Sequence, residues 1–196
     1  MPSLFCQKSK EYLLLILIRR MLLGILWCKE SWKPMVMSKR KMSAKNNRIT
    51  IDISRNSESL EGEPSDEKIR ETIAYVAEQL GSEDSEISLR IVDKEEMLDL
   101  NQKYRDRDNS TNILSFPAEL DFQGIDFLGD IVICNRVVRS EAVSFEMNYA
   151  DRYRHMLVHA TLHLLGYDHQ EENEQLNMEE LEKKIALDLK IGNPYE

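Results

Sequence analysis

Four histidines, the full complement of this 196-residue chain, fall within fifteen positions: His155, His159, His163 and His169. A single helical histidine usually packs or faces water, but four this close, three of them at intervals of four, point to a ligand. On an α-helix that interval stacks two imidazoles on one face, about 6 Å apart along the axis and within reach of one cation. His155 and His163 are separated by roughly 12 Å of helix rise, while zinc–nitrogen bonds are only about 2.0–2.1 Å, so these two cannot share an ion. One i,i+4 pair must therefore be joined by His169 from beyond the helix. Gly166 stands between them and is suited to the positive φ that ends a helix and reverses the chain. The set so selected is His159, His163 and His169, spaced H-x-x-x-H-x-x-G-x-x-H. Three neutral nitrogens leave a fourth position on zinc for water or substrate, the pattern of a catalytic site. His155 is left to order the helix or support a ligand, and Asp168 to cap the loop or support His169.

The same spacing occurs in the metzincin zinc peptidases, H-E-x-x-H-x-x-G-x-x-H, whose Glu is the general base. Here that position is Ala160. The cage is kept and the peptidase base is missing, which argues against proteolysis.

The elements that must position these residues are readable from residue 48 onward. Alternation in Arg48–Ile53 is a strand signal. Pro64-Ser65-Asp66-Glu67 opens a helix with a capping hydroxyl and early acids; Ile69, Ile73, Val76, Ala77 and Leu80 form its apolar face and Gly81 stops it. Strands are expected at Ile87–Val92, Asn112–Phe116 and Leu128–Cys134, and a short helix at Lys94–Tyr104. Helices are expected over 136–146, 150–165 and 171–190. The order βαβαββααα predicts an α+β single domain: a mixed four-stranded β-sheet packed with about five helices, the three-histidine zinc site at the end of a central helix.

Charge divides the chain. Residues 1–48 carry eleven Lys/Arg against two Asp/Glu, and the remainder fifteen against thirty-three, a body of −18. Such a body is poorly suited to coating nucleic acid. Three scattered cysteines without a C-x-x-C pair support neither a zinc ribbon nor a disulfide framework; Cys134 is expected to pack as a small hydrophobe. The apolar stretch 13–27 is broken by Arg19 and Arg20, so neither half spans a bilayer, which takes about 20 apolar residues. We read 1–48 as a basic extension that contains the true start, Met37 or Met42, so that the stretch before it is not translated and SKRKMSAKNNR is a short basic lead; a basic interfacial helix or organellar presequence is the alternative.

The stretch HMLVHATLHLLGYDH (155–169), with NQKYRDRDNSTNILSFP (101–117) and LGDIVIC (128–134), resembles the YbeY family of bacterial rRNA maturation factors, single-strand-specific endoribonucleases. The resemblance covers residues 49–196 and leaves 1–48 outside. It implies one zinc ion on His159, His163 and His169, a functional arginine at Arg105, and action on single-stranded rRNA, notably the 16S 3′ end, and in ribosome quality control. It further implies a cytoplasmic setting, with the small ribosomal subunit and a ribosomal protein as partners. The family usually has Gly where this chain has Ala160; the change adds one methyl at a helical position, and metal binding is expected to survive it, with room beside the metal the quantity at stake. Cleavage needs stabilisation of charge developing on phosphate oxygens, which a cation and an arginine fork provide. Two cation clusters, Lys103/Arg105/Arg107 and Arg136/Arg139/Arg152/Arg154, are expected to form a local basic cleft in the acidic surface. Two other classes fit the same residues: a zinc hydrolase of a small molecule or peptide, and a non-catalytic ribosome-assembly factor with structural zinc.

Overall fold

A computed structural model describes residues 49–82, 85–118, 126–168 and 172–192. The expectations for residues 1–48 and for His169 lie outside them. Nine elements follow in order: β1 (Thr50–Arg55), α1 (Asp66–Gln79), β2 (Ser85–Val92), α2 (Lys94–Arg105), β3 (Ile113–Pro117), β4 (Asp126–Cys134), α3 (Asn135–Ser144), α4 (Tyr149–Leu164) and α5 (Glu172–Leu189). The sheet order is β1-β2-β4-β3, and β3 is the single antiparallel edge on an otherwise parallel set. The mixed four-stranded sheet with five helices expected from the sequence is thus present among the described residues.

Residue parity sorts the sheet into two faces, because successive strand side chains point to opposite sides. Ile87, Leu89, Ile91, Ile113, Ile131 and Ile133 pack with Ile69 and Ile73 of α1 and with Tyr153, Leu157 and Ala160 of α4. The alternate residues Val92, Leu114, Val132 and Cys134 pack with Met97 and Leu100 of α2 on the other side. Cys134 is buried as expected, and burial pushes its thiol pKa up. A further layer forms where Met178 and Ile185 of α5 meet Val76 of α1 and Val158 and Leu162 of α4. The helix that carries the histidines is therefore central, covered by the sheet on one side and by α5 on another.

Local signals set its ends. The Asn148 side chain accepts from the backbone N–H groups of Ala150 and Asp151, capping the first turn of α4. At the other end Gly166 takes φ +88°, its N–H donating to His163 O at 3.1 Å while Tyr167 N–H donates to Leu162 O at 3.1 Å. The glycine stop expected after His163 is realised by that left-handed turn. Among the described residues no helix is long and apolar enough to cross a membrane.

Candidate functional site

Four residues of one α4 face and one residue of α5 build the centre. His159 Nε2 and His163 Nε2 lie 3.2 Å apart, their rings nearly perpendicular at 84°. Two nitrogens bound to one tetrahedral zinc at about 2.0–2.1 Å would be about 3.3 Å apart, so the pair is spaced as two ligands of one ion. The i,i+4 stacking deduced for these residues is what the helix delivers.

His159 does not hold that orientation alone. Its Nδ1 donates to Glu182 Oε1 at 2.7 Å, and Glu182 is 1% exposed. A carboxylate on Nδ1 selects the tautomer whose Nε2 lone pair faces the metal position, and it makes the imidazole a stronger donor. The second Glu182 oxygen lies 3.2 Å from His155 Nε2. On its far side, His155 Nδ1 lies 3.1 Å from Arg152 Nη1. A guanidinium has only N–H groups to offer, so His155 Nδ1 accepts and its Nε2–H donates to Glu182. Both ring nitrogens of His155 are thereby engaged, and it serves as a support of Glu182 and not as a ligand.

The chain of bonds continues outward. Arg152 donates to Glu141 Oε2 at 2.6 Å, and Glu141 accepts from Asn112 Nδ2 at 3.0 Å. Asn112 opens β3 by accepting the Ile113 N–H at 2.7 Å. Helices α3, α4 and α5 and the start of β3 are thus tied through one polar network that ends on His159. Sequence reasoning did not single out Glu182, which stands among many other acids in the C-terminal part of the chain. A signal was present: Met178, Glu182 and Ile185 occupy positions i, i+4 and i+7, so the acid sits in the apolar stripe of its helix.

Ala160 is fully buried in the core cluster with the sheet isoleucines. Its methyl packs on the core. Among the described residues no group of three or more His, Cys, Asp or Glu side chains converges to hold a metal. Two donors do converge, and His169, the third expected, lies outside the described residues. The neutral imidazole donors and their carboxylate backing fit zinc.

Arg105 is the last residue of α2, which Asp106 terminates in the left-handed conformation at φ 54°. Desolvation, and then the adjacent Arg107, pull its pKa below the usual arginine value. Its neighbour Tyr104 meets Phe116 edge-on at 5.3 Å, and the Phe116 backbone lies against Gly129, which in turn faces Leu164 at the end of α4. The end of α2 and the end of α4 accordingly meet the same end of the sheet, from its opposite faces.

The expected basic cluster on α3 and α4 divides. Arg152 is committed to Glu141, and its side chain is 12% exposed. Arg154 is buried, donating from Nε to Thr72 Oγ1 at 3.1 Å and from Nη2 to Leu189 O at 3.3 Å, and burial lowers its pKa. Both are structural cations. Arg136 and Arg139 alone of that group stay exposed and make no ion pair among the described residues.

The family described as "Endoribonuclease YbeY" matches residues 50–190. The chain is 41% identical over 151 residues to a protein of that name from Cellvibrio japonicus, covering 76% of this chain and 85% of the relative. It is 37% identical over 155 residues to another from Buchnera aphidicola, covering 77% and 96%. A solution structure from Thermotoga maritima is similar at 21% identity and a TM-score of 0.46, covering 76% of this chain and 99% of that one.

Proposed function

The chain belongs to the YbeY family of endoribonucleases, and on that premise we propose that it is a zinc-dependent, single-strand-specific endoribonuclease of rRNA maturation. The observation that carries the zinc assignment is the approach of His159 Nε2 and His163 Nε2 to 3.2 Å with Glu182 behind His159. In this reading residues 49–196 are the ribonuclease domain, preceded by the basic extension 1–48. The substrate is single-stranded rRNA, including the 16S 3′ end, and the same activity serves ribosome quality control. The partners are the small ribosomal subunit and a ribosomal protein, in the cytoplasm.

His159, His163 and His169 hold the single ion. When bound, zinc supplies a concentrated positive charge beside the scissile phosphate. The protein's own groups do the rest. Glu182 keeps the His159 lone pair aimed, so the donor set needs no rearrangement when RNA arrives. Arg105 remains a cation at neutral pH despite its lowered pKa, and its planar fork can bind two non-bridging oxygens as their charge grows in the transition state. Glu182 is not the proton acceptor, because both its oxygens already receive imidazole N–H groups.

The test is metal content measured together with cleavage of single-stranded RNA, with and without a chelator. One bound zinc, cleavage lost on chelation and restored by added zinc, and cleavage absent in His163→Ala are expected. Hydrolysis of peptides but not RNA by the zinc-loaded protein would select the small-molecule or peptide hydrolase instead. RNA cleavage unchanged in both His163→Ala and Arg105→Ala would overturn the nuclease assignment.

A further inference from the structure

Outside the histidine centre, one concavity of about 610 Å³ is lined by Leu60, Lys94, Arg136, Arg139, Ser140 and Val143. Three of its six residues are cations, in a body that carries thirty-three acids against fifteen bases. Lys94, Arg136 and Arg139 are all exposed, and none has a carboxylate partner among the described residues. Their placement adds to the field. Lys94 begins α2 and Arg136 lies in the first turn of α3, where the helix dipoles contribute further positive potential. Arg136, Arg139, Ser140 and Val143 are spaced i, i+3, i+4 and i+7, so one face of α3 forms the floor.

The loop that carries Leu60 is tied to its neighbours. Glu63, next to Leu60 in the β1–α1 loop, accepts from Arg55 Nη1 at 2.6 Å and from Asn135 Nδ2 at 2.9 Å. Arg139 also lies over the Tyr149 ring, 5.9 Å from its centroid, at the start of α4. A positively charged groove is the equipment by which proteins follow the backbone of a single strand, cations meeting phosphates.

The groove is not the metal site. It lies at the Tyr149 end of α4, whereas His159 and His163 are about 15 and 21 Å further along the axis. Successive phosphates of a single strand are spaced more widely than the roughly 3.4 Å rise of a duplex strand, so that interval takes no more than about four to six nucleotides.

We propose that the Lys94–Arg136–Arg139 groove binds the phosphate backbone of single-stranded RNA several nucleotides away from the bond being cut. The inference rests on the nuclease reading above and deepens it. The groove supplies affinity and sets a minimum substrate length, while the histidine centre and Arg105 supply the chemistry. It also reconciles an acidic body with an RNA substrate, since attraction is confined to one groove and the surrounding surface repels other polyanions.

The test compares wild type with the double variant Arg136→Ala/Arg139→Ala and with Lys94→Gln. Binding is measured by fluorescence anisotropy at several salt concentrations, on single-stranded RNAs of about 2 and about 16 nucleotides. These side chains are exposed and make no ion pair among the described residues, so an unchanged melting temperature is expected and is checked first. For the long RNA, affinity should fall in each variant, and the slope of log K against log salt should shrink by about 0.7 for each phosphate no longer neutralised. The short RNA should bind wild type and variants alike, and kcat at saturating RNA should not change. An unchanged salt slope on the long RNA overturns the groove, and so does an equal loss on both lengths. Wild-type protein that binds the long RNA in this groove but never cuts it would fail the nuclease reading while leaving the groove standing.

Discussion

Glu182 Oε1 and His159 Nδ1 lie 2.7 Å apart, joining the middle of α5 to the central helix inside the core. A carboxylate buried to 1% exposure between two imidazoles is costly unless both of its oxygens are occupied, and here they are. Its purpose follows from what it holds: the His159 ring, turned so that Nε2 faces His163. Glu182→Ala should weaken zinc binding by about 10–100-fold, the usual consequence of losing a carboxylate behind a ligating histidine. Competition against a chromophoric chelator measures this without reference to activity. Zinc affinity within twofold of wild type would show that α4 alone orients the ring.

Arg105 is predicted to act on the transition state. Arg105→Ala should lower the single-turnover cleavage rate by about 10²–10³-fold, comparable to removing one donor from a preorganised oxyanion site. Zinc content should be unchanged, because the residue is no part of the donor set. Arg105→Lys should recover little, since an ammonium lacks the planar fork. Full recovery by lysine would reduce the residue's role to that of a point charge.

Arg154 and Arg139 should separate stability from binding. Arg154→Ala removes a buried donor from Thr72 Oγ1 and Leu189 O, so unfolding in urea should shift by about 1–3 kcal/mol. The RNA affinity of the folded variant should match wild type. Arg139→Ala should do the reverse, sparing stability and weakening RNA binding. If Arg154→Ala altered the salt dependence of RNA binding while leaving stability intact, the assignment of the two arginines would be inverted.

Gly129 is predicted to tolerate no side chain. Its φ of +143° is disfavoured for other residues, and a Cβ there would lie 2.2 Å from Phe116 O and 2.9 Å from Leu164 Cδ2. Gly129→Ala should cost at least about 2 kcal/mol, combining backbone strain with forced separation of β3 and β4. Because Leu164 follows His163, the same variant should also loosen the metal pair. A melting temperature equal to that of wild type is the outcome that contradicts this.

Much of the molecule was legible in local pattern. Alternation located the strands and a 3.6-residue period located the helices, both consequences of where successive side chains point. Ser65 and Asn148 at helix starts and Gly166 at a helix end are signals carried by single residues. The histidine pair was legible for the same reason: an i,i+4 spacing on one helix fixes a distance before any tertiary contact is made, and His159 and His163 meet accordingly. What depended on packing was not legible. Glu182 comes from a helix 23 residues after His159, and only the docking of α5 on α4 turns an acid from a charged run into the support of a ligand. Arg152 and Arg154 read as cations available to RNA until the fold gave one to Glu141 and buried the other. Ala160 sits beside a ligand in sequence, but helical rotation turns its methyl into the core. The elements and the spacing within each follow from backbone geometry and short-range preference, which neighbouring residues carry. Which charges are spent inside the protein and which remain exposed was settled by packing, because burial and partnership are set by segments far apart along the chain.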